Sequence, residues 1–166
     1  MKLDRTIHIR GEITEDAFIA FRKKVLARRK ESKKPVEVIL TSGGGDAYAA
    51  LAFHDFISHL DVDIHIHATG LVASAAVLIL AAGHRRTMSA NSWVMCHEDQ
   101  PTYEAEARVT QLERDVAHSR RLENQWNDLL AFSTNASKTK WEDIHKIETY
   151  LNARDCQALG LIDDII

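Results

Sequence analysis

The chain lacks the sequence features of disulfide-rich, zinc-binding, membrane-spanning and secreted proteins. Two cysteines, Cys96 and Cys156, are too few for a disulfide scaffold or a zinc cluster. No apolar run reaches the roughly 18 to 20 uncharged residues that a membrane-spanning helix needs. The N-terminal residues hold no apolar signal core, and a formal net charge of -3 implies neither nucleic acid nor membrane as a partner. We therefore expect a reduced, cytoplasmic protein.

What is present is an ordinary globular balance, with 45% hydrophobic and 27% charged residues among 166, enough for one domain with a single core. Apolar periodicity and glycine or proline breaks predict the elements. Predicted strands cover residues 6–9, 36–40, 62–68, 86–88 and 93–96. Predicted helices cover about 14–31, 47–60, 74–82 and 104–132, followed by one or two short helices and a final segment, 161–166. The apolar stripe of the longest helix is Val109, Leu112, Val116, Leu122, Trp126, Leu129 and Leu130.

Strands followed by glycine turns and helices predict an α/β fold with parallel strands and crossover helices. In such sheets, sites gather at the carboxyl ends of the strands. Two glycine turns, at residues 43–45 and at Gly70, follow predicted strands. They indicate where a site would lie.

Ser74 heads the most hydrophobic segment of the chain, TGLVASAAVLILAAG at residues 69–83. A hydroxyl at a helix start can act as a nucleophile while neighbouring backbone N–H groups hold an oxyanion. The same position also suits an N-cap serine, whose side chain only satisfies those donors. Local sequence leaves both interpretations open.

Four other features require a choice between a functional and a structural interpretation. The glycines at 43–45 lack the spacing of a phosphate loop or a dinucleotide fingerprint, and indicate either tight geometry or a ligand loop. His97, directly after a predicted strand, is either a general base or a structural residue. His65 and His67 share one strand face but have no third metal ligand at matching spacing. The basic residues 28–34 favour a solvated helix end over an RNA or anionic-partner patch.

Taken in order, four stretches are similar to motifs of the proteolytic subunit of the Clp protease, a serine peptidase that encloses its sites in a chamber. The similarity runs from about residue 6 to residue 163. The stretches are LTSGGG at 40–45, GLVASAA at 70–76, NSWVMCH at 91–97, and YLNA with GLID between 150 and 163. They resemble the family's Ser-Pro-Gly-Gly turn, its nucleophile turn, its histidine segment and its final Leu-Ser-Ala and Gly-Leu-Val-Asp pair.

The resemblance implies the ClpP/crotonase-like fold, an α/β architecture of repeated β-β-α and βα units with a protruding long handle helix. It implies one domain over residues 1–166, with a head of about 6–97 and 134–166 and a handle of about 98–133. It also implies an oligomer of stacked rings, heptameric, and an AAA+ ATPase as the possible partner. No cofactor or metal is expected.

The resemblance also assigns site residues. Ser74 would be the nucleophile, His97 the general base and Glu148 the triad acid, with Asp99, Asp143 and Asp155 as its substitutes. The oxyanion hole would use the N–H groups of Gly45 and Ala75. Residues expected to hold the substrate are Gly43, Gly44, Gln100 and Pro101. The implied function is a serine endopeptidase that cleaves peptides or unfolded protein in a ring chamber.

Four departures from the family pattern bear on this expectation. Glu148 stands where the family usually has aspartate, and Gly43 replaces the proline of the substrate loop. Pro101 lacks an N–H and cannot donate to a substrate strand. The family's N-terminal pore segment has almost no counterpart before Thr6. A peptidase that acts on peptides or loose chains, or a phage-type maturation peptidase, would fit these departures.

Other functions compete with this one. A catalytically silent ring subunit would fit the altered acid, and a crotonase-type acyl-CoA enzyme would share the fold and glycine loop. The paired Ser74 and His97 favour a peptidase over the acyl-CoA enzyme. A Ser–Lys mechanism is disfavoured because no lysine occurs between Lys34 and Lys138.

Overall fold

A computed structural model describes residues 5–98 and 108–166. Asp99, a predicted substitute for the triad acid, lies outside these ranges. The predicted substrate residues Gln100 and Pro101 also lie outside them. The strands are β1 (Thr6–Ile13), β2 (Val36–Gly45), β3 (Ile64–Ala73), β4 (Arg85–Met88), β5 (Trp93–Cys96), β6 (Thr149–Asn152) and β7 (Asp164–Ile165). The helices are α1 (Glu15–Glu31), α2 (Ala47–Ser58), α3 (Ala75–Ala81), α4 (Val109–Ser133), α5 (Lys138–His145) and α6 (Ala153–Ala158).

The predicted parallel α/β sheet is confirmed. Its main path runs β1-β2-β3-β4-β7, and every neighbouring pair along it is parallel. Strand β3 forks: its first half, 65–68, pairs with β4, and its last residues, 71–73, pair with β5. Strand β5 also pairs with β6 in the antiparallel sense. The fork places the carboxyl end of β3 beside β5, which leads into His97.

Three strands extend beyond their predicted ends, because the glycines are accommodated within them. β1 continues through Gly11, where the register with β2 shifts and φ is 78°. β2 carries the glycine triplet as its last residues, and β3 passes Gly70, with φ 67°, to reach Ala73. The expectation that these glycines end the strands was therefore wrong, since a bulge at glycine bends a strand without ending it.

The core lies between the sheet and its helices. Every residue of α3 is buried, in agreement with the apolar run that predicted this helix. Helices α1 and α2 meet through four phenylalanines whose ring centroids lie 5.1 to 6.2 Å apart, mostly edge to face. These rings are Phe18, Phe21, Phe53 and Phe56. Their packing anchors α2, which follows the glycine triplet.

Helix α4 matches the predicted long helix over Val109–Ser133; the first residues of that prediction, 104–107, lie outside the described ranges. Only the end of its apolar stripe is packed. Leu130 is fully buried, whereas Val109 is 70% and Val116 37% exposed. The C-terminal tail holds two short helices, where one or two were predicted, and also β6, which was not predicted.

The basic residues at the end of α1 have intramolecular partners. Asp61 accepts hydrogen bonds from Arg29 and Lys33, and these bonds hold the pKa of its carboxyl well below the usual range. These contacts agree with the interpretation as a charged helix end on the surface.

Candidate active site

Ser74 joins β3 to α3 in a strained conformation. Its φ is 52° and its ψ is -123°, and it is the one non-glycine residue with positive φ in the described ranges. Such a conformation costs about 1 to 3 kcal/mol and persists only where the surroundings impose it. The Ser74 side chain makes no cap hydrogen bond. Serine is thus not placed here as an N-cap, unlike the residues that cap α1, α2, α5 and α6, which are Thr14, Asp46, Ser137 and Asn152.

The glycine triplet packs directly against this turn. A Cβ added at Gly44 would lie 2.7 Å from the Cβ of Ser74 and 2.9 Å from the carbonyl oxygen of Ala73. Gly44 also has φ 102°, so both its backbone and its contacts require glycine. Two hydrogen bonds of the Ser42 hydroxyl fix the loop. The hydroxyl accepts a hydrogen bond from the Gly44 N–H at 3.1 Å and donates one to the Gly11 carbonyl oxygen at 2.5 Å. Gly43, in contrast, is exposed, and no atom lies within 4 Å of a Cβ built on it.

His97 reaches the same region through strand pairing. Ala73 lies opposite Met95, and the Ser74 N–H donates to the Met95 carbonyl at 2.8 Å. His97 follows two residues later and is half-buried. Its Nδ1 lies 2.6 Å from the carbonyl oxygen of Glu98. A carbonyl only accepts, so Nδ1 carries the proton in the neutral ring and Nε2 is left with a free lone pair.

A cavity of about 310 Å³ connects these residues. Gly45, Ser74, Ala75 and His97 all contribute to its wall. Ala75 is the first residue of α3, and the first N–H groups of a helix have no intrahelical acceptor. The structure thus brings together four of the residues singled out in the sequence: a hydroxyl, an imidazole and two positions that could present N–H groups.

Glu148 stands beside His97 in the sheet but does not line the cavity. Cys96 pairs with Thr149 in the antiparallel register of β5 and β6, so the next residues, His97 and Glu148, lie opposite each other, and the Glu148 side chain is exposed. Its carboxylate lies close enough to the Tyr150 hydroxyl to raise the pKa of that group. The structure therefore places Glu148 next to His97 in the sheet and outside the wall of the cavity that Ser74 and His97 share.

The substitutes for the acid have other partners. Asp143 accepts a hydrogen bond from Lys146 at 2.8 Å, and this bond lowers the pKa of its carboxyl. Asp155 accepts the Asn152 N–H at 3.0 Å in the capping box of α6. Both carboxylates stabilise local structure.

The cavity also has residues that the sequence did not single out, and two of them are His145 and Asn127. His145, the last residue of α5, lines the cavity, and so does Asn127 of α4, which is only 6% exposed. Within the described ranges, the Asn127 Oδ1 is buried without a hydrogen-bond partner. A signal for His145 did exist: it stands four residues after Trp141 in a helix capped by Ser137, which places both rings on one helix face.

No metal site was found in the part of the chain that the structure describes: no group of three or more histidine, cysteine or acidic side chains is placed to hold an ion. His65 instead contacts Glu37, and His67 contacts the hydroxyls of Thr87 and Ser89. Within the same residues, no helix is long and apolar enough to cross a membrane.

A strained serine between a strand and a helix, sharing a cavity with an imidazole, is the arrangement in which α/β hydrolases present a nucleophile. The chain belongs to the Clp protease family, whose model matches residues 1–166. It is 30% identical over 138 residues to the ATP-dependent Clp protease proteolytic subunit of Cyanophora paradoxa, covering 82% of this chain and 70% of that protein. Its fold matches that of a point mutant of ClpP1 from Listeria monocytogenes with a TM-score of 0.88, at 24% identity over 98% of this chain and 91% of the other. The predicted family and fold are confirmed.

Proposed function

We propose that this chain is a serine endopeptidase in which Ser74 attacks a peptide carbonyl and His97 is the general base. The observation that carries the proposal is the strained Ser74, which makes no cap hydrogen bond and shares a cavity with His97. A structural serine would have no reason to hold positive φ at the head of a buried helix. A nucleophile would, because the turn exposes its hydroxyl.

The proton path follows from the tautomer of His97. Its free Nε2 takes the Ser74 hydroxyl proton as Oγ bonds to the carbonyl carbon. The proton then passes to the amine as the C–N bond breaks, leaving an ester on Ser74. Water attacks that ester after His97 removes its proton, and His97 returns the proton to the Ser74 oxygen.

The oxyanion formed in both steps needs donors near Ser74. We assign this role to the N–H groups of Gly45 and Ala75, both on the cavity wall. Removal of a single oxyanion donor costs about 10² to 10³ in kcat in enzymes of this kind. Gly43 and Gly44, with Gln100 and Pro101, are proposed to contact the substrate, which would be a peptide or an unfolded protein segment.

Self-association is the second part of the proposal. Three apolar side chains, Leu71, Trp93 and Tyr150, are 38%, 46% and 53% exposed and line one shallow depression on the sheet. Exposed apolar clusters of this kind are typical of protein interfaces. They support an oligomer, and family membership leads us to propose stacked heptameric rings that enclose the sites, with an AAA+ ATPase as the possible partner. Cytoplasmic location stays a prediction.

The test is labelling by a fluorophosphonate probe, combined with hydrolysis of a fluorogenic peptide. We expect the native protein to be labelled at Ser74 and to cleave the peptide, and Ser74→Ala to lose both. Ser58→Ala is the matched control, because Ser58 is an exposed serine at the end of α2. Absence of labelling in an oligomer of confirmed mass would refute the proposal.

A catalytically silent ring subunit is the second candidate. It is favoured by Glu148, which stands where the family usually has aspartate and whose exposed side chain does not line the cavity. Loss of a triad acid costs about 10⁴ in rate. Equal peptide hydrolysis by the native protein and by Ser74→Ala would establish this second function in place of the first.

A further inference from the structure

Asn127 is a buried polar side chain that the proposed mechanism leaves unused. It lies on α4, is only 6% exposed, and lines the same cavity as Ser74 and His97. Its Oδ1 is buried, and no donor in the described part of the chain is bonded to it. Almost all buried polar groups of native proteins have a hydrogen-bond partner. An unsatisfied acceptor in the wall of this cavity therefore calls for a physical explanation.

Two other buried side-chain atoms of residues 5–98 and 108–166 lack a partner, and they differ from Asn127 in kind. They are the Nε atoms of Arg28 and Arg86. Each of these guanidinium groups is held through its other nitrogens by carbonyl or carboxylate oxygens. The Asn127 Oδ1 is an acceptor, and Asn127 is the only one of the three residues that lines the cavity.

The position of Asn127 on its helix makes an amide costly there. Leu130 stands three residues later on the same face of α4 and is fully buried. An apolar side chain at position 127 would be buried without a polar penalty, whereas a carbonyl oxygen buried without a donor is destabilising. Core packing therefore gives no reason for an amide at this position, but a ligand that supplies a donor would.

The charges of the cavity wall do not select a charged ligand. Charged side chains of both signs line it, namely Glu98, Glu123 and Glu142 with Arg120 and Lys146. One of the cations, Lys146, already donates a hydrogen bond to the Asp143 carboxylate. Because charges of both signs are present, the unsatisfied neutral acceptor is the feature that distinguishes the wall. It matches a neutral donor.

We propose that Asn127 is a specificity-determining residue that selects a substrate side chain ending in a primary amide, glutamine or asparagine, at the residue whose carbonyl Ser74 attacks. The inference rests on the proposed peptidase function and names the substrate preference of that same site. The Asn127 Oδ1 accepts an N–H of the substrate amide, and its Nδ2 donates to the substrate amide oxygen. The terminal torsion of asparagine is soft, so the amide can turn toward a bound side chain without movement of the helix.

The experiment measures kcat/KM for short fluorogenic peptides that differ only in the residue before the cleaved bond. Methionine is the matched comparison for glutamine, because its side chain has nearly the same length and no donor. We expect the native protein to cleave the glutamine peptide about 10-fold faster than the methionine peptide, the value of a single net hydrogen bond. The asparagine peptide should also be preferred over the methionine peptide.

Two substitutions change what position 127 can bond. Asn127→Leu keeps the branched shape and removes both polar atoms. It should reverse the order, with methionine preferred over glutamine by about 10-fold, because the substrate amide then enters the cavity without a partner. Asn127→Asp replaces the amide with a carboxylate. It should favour a lysine peptide over the glutamine peptide, because a carboxylate forms a charge-assisted hydrogen bond with an ammonium group.

The matched control is Gln125→Leu. It removes an amide from the same helix two residues earlier, where the side chain is exposed and does not line the cavity. The ratio of the glutamine and methionine rates should stay at the native value. Labelling of Ser74 by the fluorophosphonate probe at the native rate shows that the site of each variant is folded.

Two results would overturn the inference while leaving the peptidase intact. One is a native protein that cleaves the methionine peptide as fast as the glutamine peptide or faster. The other is an Asn127→Leu variant with the native ratio, whether all its rates are unchanged or all fall equally, since an amide that binds the substrate backbone would lower them equally. Failure of the peptidase itself is seen separately, as absence of Ser74 labelling in the native protein.

Discussion

Gly44→Ala offers the sharpest test of how the site is held. The new Cβ would lie 2.7 Å from the Ser74 Cβ, 2.9 Å from the Ala73 carbonyl oxygen and 3.2 Å from the Ala75 nitrogen. Two of these neighbours are backbone atoms, which cannot move aside as a flexible side chain would. The side chain would also have to adopt φ 102°.

The cost can be worked out from these two effects. Backbone strain of a non-glycine residue at positive φ costs about 1 to 3 kcal/mol. Overpacking in a rigid site costs about 1 to 3 kcal/mol more. The expected loss is about 2 to 6 kcal/mol, a large part of the roughly 5 to 15 kcal/mol by which domains are stable. Because the clash is with the Ser74 turn, fluorophosphonate labelling should fall along with stability.

The assay is urea unfolding at fixed protein concentration, followed by probe labelling of the folded fraction. Gly43→Ala is the matched control, because Gly43 is the preceding residue, is exposed and has no atom within 4 Å of an added Cβ. Its unfolding free energy should change by no more than about 0.5 kcal/mol. Equal midpoints for the two variants would refute the argument that Gly44 supports the serine.

Three further predictions concern the structure around the site. Phe53→Ala should lower the free energy of unfolding by about 3 to 5 kcal/mol, because Phe53 is fully buried between α1 and α2. In the same urea titration, Phe132→Ala should change this free energy by under about 0.5 kcal/mol, because Phe132 is 91% exposed. Asn152→Ala should cost about 1 kcal/mol by removing the cap of α6, and an unchanged melting curve would contradict this. Burial raises the pKa of Cys96 and of Cys156 to about 12 each. Ellman's reagent at pH 8 should therefore react slowly with the native protein, and should react rapidly with both thiols once urea has unfolded it. Fast reaction with the native protein would show that these thiols are not buried.

The sequence predicted the sheet and its helices well where apolar runs are bounded by turns. The buried helix α3 and the strand before His97 are examples, since their periodicity and length leave few alternatives. It failed at glycines. The predicted strand ends before Gly11 and Gly70 are wrong, because a strand can pass through a bulge when its neighbours hold the register. Pairing partners are not visible in one sequence.

Only part of the site could be predicted, because contacts between distant segments are not visible in one sequence. The positions of Ser74, Gly45 and His97 are tied to motifs, and the structure places all three on one cavity. The third triad position depends on where a side chain points after a turn. Glu148 directly precedes β6 and stands opposite His97 in the strand register, yet its side chain is exposed and does not line the cavity. The His145 side chain reaches the cavity because α5 packs beside α4. The spacing of Trp141 and His145 shows that they share one face of α5, but it does not show which segment that face packs against.

The fork in β3 gives the serine two different supports. On one flank, Val72 pairs with Ser42 of the main sheet; on the other, residues 71–73 pair with β5, whose remaining neighbour is β6. The geometry of the nucleophile therefore depends on a ribbon that comes from the last fifth of the chain. A truncation before Thr149 would leave β5 with an open edge of unpaired N–H and carbonyl groups. It would therefore disturb the geometry of Ser74, although the deleted residues begin more than seventy positions later in the sequence.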